Sequence, residues 1–324
     1  MNQAIVTGST GLIGSVLVSQ LLNAGIPVIA LGRKTWDQVD PLRLQRHPLL
    51  TYITLTMENI SNLSSTLKHH DCKISDKCVF YNLAWGGQSK LSDLDPITQM
   101  TNVSWSLDAL DAAANIGCSK FVHIGTMEEA FTLKYLDLDY RCHSYCNRHV
   151  IYSLAKITSR NALKAKAYEY SIDLMFASNS HVMGPNDDKD SFLQVTLLKL
   201  VNSEPLIFST GEQMFDVVTV SDCARGYCLI GHKGNPGAEY WVGSGEARPL
   251  KEYVEIMAKI YPSEQPLQFG KMPYNDISLL KDDFSIDNLV KDTGYKPEQS
   301  YEEAVIELHD WLVNKNDPSR LFAS

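Results

Sequence analysis

Tyr152 and Lys156 are four residues apart, in the stretch Tyr-Ser-Leu-Ala-Lys. On a helix this spacing places both side chains on one face, one turn apart. A free tyrosine has a pKa of about 10 and is a poor proton shuttle at neutral pH, whereas a nearby ammonium lowers that pKa. We therefore predict a pair that exchanges a proton with a carbonyl group, if the chain builds a site around it. The alternative is a solvated surface pair without a role.

A glycine-rich turn near the N-terminus predicts a phosphate-binding site. It follows a short apolar strand at 4–6 and precedes an amphipathic helix at 15–23. Gly8 permits the tight turn, Gly11 lets the backbone approach a pyrophosphate, and Gly14 lets helix and strand pack closely. The N–H groups at the helix start then face the phosphates. The predicted dinucleotide contacts in this turn are Gly8, Thr10, Gly11, Leu12, Ile13 and Gly14.

The residues after the second predicted strand favour NADPH over NAD. An acidic residue commonly binds the ribose 2′-hydroxyl of NAD at this place, whereas an arginine accommodates a 2′-phosphate. Here the chain has Arg33 and Lys34. Two alternatives stay open: the basic pair is merely solvated, and Asp37 or Glu58 reaches the ribose of NAD.

Composition and charge exclude several classes of function. The 324 residues carry a formal net charge of −9, with 44% hydrophobic and 21% charged residues, as in ordinary globular proteins. No Lys/Arg block exceeds two residues, so the basic patch of a nucleic-acid or acidic-membrane protein is missing. The N-terminal residues lack the basic region of a secretory signal, and Gln20, Asn23 and Pro27 interrupt the longest apolar run. We expect a cytoplasmic protein.

The seven cysteines predict reduced thiols rather than a disulfide framework, because their number is odd and their spacing irregular. The segment 142–149 holds two cysteines and two histidines. Zinc sites usually combine two such pairs from separate segments, and no second pair is evident. We predict a polar loop here and no metal site.

Alternating strands and helices predict the fold class. Strands are expected at 4–6, 27–31, 50–55, 77–84, 121–125 and 172–176, with helices at 15–23, 60–67, 98–115 and 152–168. This order indicates an α/β protein with a Rossmann-type, doubly wound parallel sheet. Further on we expect helices at 192–202, 249–261 and 301–314, and one more helix that begins at residue 223. A strand is expected at 206–208 and a short element at 284–289. We assign 1–177 to a dinucleotide-binding domain to which 217–245 returns, and 178–324 mainly to a smaller substrate-binding lobe.

With these motifs in order, the chain resembles the extended short-chain dehydrogenase/reductase family, which includes nucleotide-sugar epimerases, 4,6-dehydratases and 4-ketoreductases. The resemblance covers nearly the whole chain. Beyond the glycine turn, the residues that carry it are Asn82-Leu83-Ala84, Asn102, Ile124-Gly125-Thr126, Tyr152 with Lys156, Gly184-Pro185, the stretch 216–222 and Gly294-Tyr295-Lys296-Pro297.

The resemblance implies roles for these residues. Tyr152 would exchange the proton, Lys156 would hold the nicotinamide ribose and bias the tyrosine pKa, and Thr126 would orient the carbonyl; Glu128 is a further catalytic candidate. Additional cofactor contacts are implied at Leu83, Ala84, Trp85 and Val182. Substrate contacts are implied at Gly86, Gly87, Asn179, His181, Arg248 and Lys271.

Three departures from the family pattern bear on which reaction is catalysed and which substrate is bound. Dehydratases typically follow the threonine with Asp-Glu, whereas Met127 and Glu128 follow here, and a thioether cannot protonate a leaving hydroxide. His181 replaces an asparagine. Phe215 replaces an arginine that commonly contacts the substrate diphosphate, so Arg248 or Lys271 would have to substitute, or the substrate is not a nucleotide sugar.

The leading hypothesis is an NADPH-dependent reductase of a nucleotide-activated 4-keto-6-deoxy sugar. The segment 271–274 and the Gly294-Tyr295-Lys296-Pro297 motif are similar to those of 4-ketosugar reductases. The alternatives are an NAD-dependent epimerase or dehydrogenase, and a non-catalytic dinucleotide-binding protein. The resemblance implies a homodimer formed through the helices at 102–115 and 152–168.

Overall fold

The structure is a computed structural model that describes residues 1–87, 95–136, 150–187, 191–274 and 277–315. Its strands are β1 (Gln3–Thr7), β2 (Val28–Gly32), β3 (Leu50–Thr54), β4 (Cys78–Asn82), β5 (Lys120–Ile124), β6 (Asp173–Asn179), β7 (His181–Met183), β8 (Leu206–Ile207), β9 (Met214–Phe215), β10 (Val217–Thr219), β11 (Glu239–Val242), β12 (Arg248–Pro249) and β13 (Leu267–Gln268). Its α-helices are α1 (Leu12–Asn23), α2 (Leu63–His69), α3 (Pro96–Asn115), α4 (Glu128–Leu136), α5 (Val150–Ala167), α6 (Phe192–Val201), α7 (Val220–Lys233), α8 (Leu250–Ile260), α9 (Asp287–Thr293) and α10 (Tyr301–Lys315).

Seven parallel strands form the central sheet of the described chain, in the order β11-β6-β5-β4-β1-β2-β3. All residues of β2 and β4 are buried, as expected for parallel strands covered on both faces. The strand order reverses between β1 and β4, where Ile5 is the register partner of both Ile29 and Phe80. The prediction of a Rossmann-type, doubly wound sheet is confirmed.

Helices cover both faces of the sheet because strand side chains alternate between them. On one face, Val6, Ala30 and Tyr81 pack with α1 and α7. On the other face, Ile5 and Phe80 pack with α2, α3 and α5. The result is a three-layer α/β/α arrangement in which the carboxyl ends of the strands open along one edge.

A separate apolar cluster lies in the C-terminal half. It combines Leu197 of α6, Val254 of α8 and Leu308 of α10 with neighbouring apolar side chains. The segment from α7 to β11 belongs to the central layers instead, since α7 packs in the same cluster as α1 and β11 pairs with β6.

Several element bounds differ from the predictions. Helix α4 was not expected, because residues 128–136 lack a clear apolar period. The predicted helix at 60–67 is a 3₁₀ segment (Met57–Asn62) continued by α2, and the predicted element at 284–289 divides into a 3₁₀ turn (Lys281–Phe284) and α9. Helix α3 begins earlier than predicted, because the Asp95 carboxylate caps it with Pro96 at its first position.

Candidate active site

The sequence-predicted residues gather where the central strands end. The glycine turn follows β1, residues 83–87 follow β4, and Thr126 lies two residues after β5. Because β1, β4 and β5 are adjacent and parallel, these segments share one edge of the sheet. The crevice beside the β1–β4 reversal is where ligands bind in open α/β sheets.

The glycine turn is shaped for close approach. Gly8 has φ +65°, a conformation that other residues rarely adopt. A Cβ at Gly8 would lie 3.0 Å from the Ala84 nitrogen, and a Cβ at Gly14 would lie 3.0 Å from the Gly8 carbonyl carbon. Gly11 is the N-cap residue of α1, and within the described ranges no side chain caps the first N–H groups of this helix. The turn therefore presents backbone donors in the manner that a pyrophosphate requires.

A buried threonine connects this turn to the end of β4. Thr7 Oγ1 accepts hydrogen bonds from the backbone N–H groups of Leu83 and Ala84, each at 3.1 Å. It donates to Asn82 Oδ1 at 3.0 Å, and Asn82 Nδ2 is 3.2 Å from His123 Nδ1. The two strand ends on either side of the crevice are thus held by one network.

The residues after Ala84 are anchored to α3. Trp85 Nε1 donates to Gln99 Oε1 at 2.8 Å. Asn102 accepts from the Gly86 N–H at 2.5 Å and donates to the Gly86 carbonyl at 3.1 Å, while Gly87 continues with φ +99°. Asn102, one of the residues that carry the family resemblance, therefore fixes the backbone beside the crevice.

Tyr152 lies beside Thr126. The Thr126 side chain hydrogen-bonds to the phenol and acts to lower the tyrosine pKa, but burial outweighs this and raises the pKa above the ordinary value of 10. Although the tyrosine side chain keeps some exposure, burial is the largest single effect on it. At neutral pH the phenol therefore carries its proton.

Lys156 is buried one turn further along α5. Its Nζ donates to the Ile124 carbonyl at 2.9 Å and lies 3.8 Å from the centroid of the Trp85 ring, against 6.0 Å from that of Tyr152. Burial lowers the pKa of Lys156 to about 7, an effect that Glu129 opposes. The Trp85 and Tyr152 rings meet edge to face, 6.0 Å apart.

The expected influence of the lysine on the tyrosine is wrong for this geometry. We predicted that Lys156 lowers the pKa of Tyr152, yet that pKa is raised. The ammonium is directed to the Ile124 carbonyl and the Trp85 ring, so burial of the phenol dominates.

Sequence reasoning missed a buried carboxylate, Glu129, that contacts both Thr126 and helix α5. Glu128, the predicted candidate, starts α4, and its backbone N–H lies 3.4 Å from Thr126 Oγ1. The adjacent Glu129 accepts from the Thr126 N–H at 3.0 Å and pairs with Arg160 at 2.6 Å. Arg160 follows Lys156 by four residues, a spacing that could have signalled a third member of the same helix face.

Arg33 follows β2 as an exposed side chain without a hydrogen bond or ion pair to any residue in the described ranges. Asp37, one of the two alternatives for a ribose contact, is exposed and bonded to Thr35, which lowers its pKa. Glu58, the other, lies in the exposed 3₁₀ turn before α2. Two cationic side chains thus stand at the predicted adenosine end, at Arg33 and Lys34.

A second group forms around Phe215, which replaces the family arginine. The His181 ring lies 5.3 Å from that of Phe215, and burial lowers the pKa of His181 to about 4. Arg248 is the direct partner of Phe215 in the antiparallel β9–β12 pair. Directly paired residues share one face, so the guanidinium stands beside the position where the arginine is lost. It pairs with Glu246 at 2.7 Å.

The structure also shows the surroundings of most of the remaining predicted contact residues. Asn179 Oδ1 accepts from the Tyr227 hydroxyl at 2.9 Å, and Val182 packs against the main core. Lys271 is exposed, and among the residues that the structure describes only its backbone N–H is engaged, with the Phe208 carbonyl at 3.1 Å. The Cys/His segment 142–149 lies outside the described residues.

The geometry fits a dinucleotide. Side chains at Gly8 or Gly14 would fill the cradle over α1, and the backbone N–H groups of α1 are open to the same crevice. In the cluster after β5, a protonated phenol, a hydroxyl and an ammonium stand within one buried group formed by Tyr152, Thr126 and Lys156. Such a group can deliver a proton to a carbonyl oxygen and stabilise charge on it.

Comparisons with known proteins agree with this arrangement. The sequence profile described as "NAD dependent epimerase/dehydratase family" matches residues 4–243. A dTDP-glucose 4,6-dehydratase of Xanthomonas campestris is 24% identical over 50% of this chain and 49% of its own, so the chain spans about half the length of the curated dehydratases it matches. A CDP-abequose synthase of Salmonella typhimurium is 26% identical over 94% of this chain and 96% of its own.

Solved structures show the same fold. A UDP-glucose 4-epimerase of Thermotoga maritima superposes with a TM-score of 0.76 at 20% identity, covering 97% of this chain and 100% of the other. The Bordetella bronchiseptica enzyme WbmF in complex with NADH gives a TM-score of 0.76 at 17% identity, covering 97% and 92%.

The described helices include none that is apolar and long enough to span a bilayer. The profile match covers most of the chain and includes the glycine turn, the strand end at Thr126 and the Tyr152–Lys156 pair. This chain is therefore a member of the NAD dependent epimerase/dehydratase family.

Proposed function

We propose that the protein is an NADPH-dependent reductase of a nucleotide-activated 4-keto-6-deoxy sugar. The observation that carries the proposal is the placement of the Tyr152 phenol beside the Thr126 hydroxyl, one helical turn from the buried Lys156. A protonated phenol held beside a second hydroxyl can donate its proton to a carbonyl oxygen, and this donation is the step that carbonyl reduction requires.

The glycine turn and the basic pair after β2 support the choice of cofactor. Gly8, Gly11 and Gly14 would hold the pyrophosphate at the start of α1, with Leu83 and Ala84 on the other side of the crevice. Arg33 and Lys34 would pair with a 2′-phosphate. Bound there, NADPH would supply the hydride.

The residues of the chain would supply the proton and the orientation. Tyr152 would donate its proton to the carbonyl oxygen, and Thr126 would hydrogen-bond to that oxygen and hold it in line with the phenol. Lys156, one turn further along α5, would hold the nicotinamide ribose. The negative charge developing on the substrate oxygen is thereby neutralised where it forms.

Two features narrow the substrate and the reaction. Met127 stands where dehydratases use an aspartic acid, and a thioether cannot protonate a departing hydroxide. Arg248, the direct partner of Phe215, would bind the diphosphate in place of the missing arginine. The alignment with a CDP-abequose synthase over nearly the full length supports a nucleotide-linked substrate.

The proposal extends to the organisation of the chain. Residues 1–177 with 217–245 would bind the dinucleotide, and most of 178–324 would bind the sugar nucleotide near His181, Arg248 and Lys271. A homodimer through α3 and α5 is the proposed assembly.

The first test identifies the nucleotide and the substrate together. The purified protein is denatured, the released nucleotide is identified, and NADPH consumption is followed with a panel of nucleoside diphosphate 4-keto-6-deoxy sugars that differ in base. We expect NADPH oxidation with at least one member of the panel. Tightly held NAD that is not turned over, together with no NADPH consumption, would instead indicate the epimerase alternative. Binding without any turnover would indicate a non-catalytic protein.

A further inference from the structure

Glu129 connects the Thr126 end of β5 to the helix that carries Tyr152 and Lys156. Its Oε1 accepts from the Thr126 N–H at 3.0 Å, and its Oε2 lies 2.6 Å from Arg160 Nη2. The residue is only 4% exposed. Burial raises the pKa of this carboxyl group, and the Arg160 guanidinium and the Thr126 N–H oppose that rise. Each carboxylate oxygen thus serves a different element.

Arg160 is held from several sides. Its Nη2 also donates to Ser178 Oγ at 3.0 Å, and its Nη1 donates to Glu239 Oε2 at 2.7 Å. Ser178 belongs to β6 and Glu239 to β11, so the guanidinium of α5 is anchored to two strands as well as to α4. A planar guanidinium with several fixed donors permits little rotation.

The strand end is shaped around this pair. A Cβ at Gly125 would lie 2.9 Å from Ser178 Oγ and 3.3 Å from Arg160 Nη2, and closer still to Glu129 Oε1. Only glycine therefore leaves the space that Glu129 occupies directly beneath Thr126.

We propose that Glu129 and Arg160 form a positioning pair that fixes the Thr126 hydroxyl relative to the Tyr152 phenol. The inference rests on the proposed function, because it assigns the pair to the geometry of that proton transfer. Thr126 and Tyr152 are 26 positions apart and belong to different elements. The pair joins these two elements by one hydrogen bond and an ion pair rather than by apolar contacts alone.

The same pair sets the charge balance around Lys156. Glu129 of α4 favours the charged ammonium, whereas burial and Arg160 disfavour it. Other groups near this region include Tyr152 of α5, His123 of β5, Glu239 of β11 and the Trp85 ring after β4. Removing the charge of Glu129 removes an attraction that favours the charged lysine, so the ammonium is lost at a lower pH.

The experiment compares Glu129→Gln with a control that removes an ion pair from the same helix. Lys134→Gln breaks the partly exposed Lys134–Asp283 pair of α4 and leaves Thr126 untouched. For Glu129→Gln we expect kcat to fall by about 100-fold, the order of loss that a displacement of about 1 Å produces, while NADPH affinity stays within twofold. We also expect the alkaline limb of the kcat/KM profile, which reports the Lys156 pKa of the free enzyme, to shift to lower pH. Lys134→Gln should leave both unchanged.

Variants at two further positions keep the test decisive if Glu129→Gln does not fold. Arg160→Lys preserves the positive charge and should therefore retain more activity than Arg160→Met. Gly125→Ala displaces the Glu129 side chain without altering any charge, and it should lower kcat as Glu129→Gln does. Wild-type kcat and an unshifted pH profile in folded Glu129→Gln, or wild-type kcat in Gly125→Ala, would overturn the inference. Tyr152→Phe separates the two proposals: its inactivity supports the proposed function whether or not Glu129 matters.

Discussion

Replacing Gly14 with alanine tests the cofactor cradle. An added Cβ would lie 3.0 Å from the Gly8 carbonyl carbon and 3.2 Å from the Ser9 Cα. Because non-bonded carbons rest about 3.5–4.0 Å apart, α1 and the turn must separate by roughly 0.5–1 Å. The N–H groups at the start of α1 then move away from the pyrophosphate position.

The Gly14→Ala substitution should change both the stability of the fold and the affinity for NADPH. Overpacking costs about 1–3 kcal/mol, and alanine returns about 1 kcal/mol because it is the better helix former. Hydrogen bonds to charged groups contribute about 1.5–3 kcal/mol each. The loss of one such bond to the phosphates should raise the Kd for NADPH by roughly 10- to 100-fold, since 1.4 kcal/mol is a factor of ten.

The assay is NADPH binding followed by fluorescence, with urea unfolding measured on the same samples. Gly117→Ala is the matched control, since Gly117 has φ +86° outside the cradle and alanine there costs about 1–2 kcal/mol of backbone strain. It should lower stability and leave the Kd for NADPH unchanged. A Gly14→Ala protein that binds NADPH with a Kd within twofold of wild type would refute the claim that the turn before α1 binds the pyrophosphate.

Three further predictions concern charge. Burial lowers the pKa of Lys156 to about 7, so its charged form is present below that pH and lost above it, and kcat/KM should fall as pH rises through about 7. The side chain of a Lys156→Arg variant stays charged, so a folded variant should lack this alkaline limb. An unchanged limb in that variant would contradict the assignment to Lys156. Arg33→Ala should lower kcat/KM for NADPH by roughly 10- to 100-fold and leave kcat/KM for NADH unchanged. An equal loss of kcat/KM for both nucleotides would argue against a contact between Arg33 and the 2′-phosphate. Arg248→Leu should raise KM for the sugar nucleotide by roughly 10- to 100-fold without altering NADPH affinity, and an unchanged KM would exclude the diphosphate contact.

Local sequence features predicted much of the fold and part of the candidate site. The strands β1 to β6 appear as short apolar runs, and the position of Gly8 directly after β1 indicates its tight-turn conformation. Tyr152 and Lys156 are found by helical spacing, because both partners lie on one element.

Contacts between distant segments could not be predicted in this way. Glu129 and Arg160 are 31 positions apart, and only the packing of α4 against α5 brings them together. The direction of Lys156 toward Trp85, 71 positions earlier, likewise depends on how β4 and α5 are arranged. Strand β11 has only four residues, and its place at the sheet edge is set by pairing with β6.

The central claim is that Tyr152 delivers the proton in carbonyl reduction. The most direct measurement compares Tyr152→Phe with wild type, using NADPH oxidation with the best substrate of the panel and NADPH binding by fluorescence. The account predicts that turnover falls by roughly 10²–10⁴-fold, the usual contribution of a positioned acid, while the Kd for NADPH changes less than about twofold. Turnover that persists at the wild-type rate in Tyr152→Phe would contradict the account.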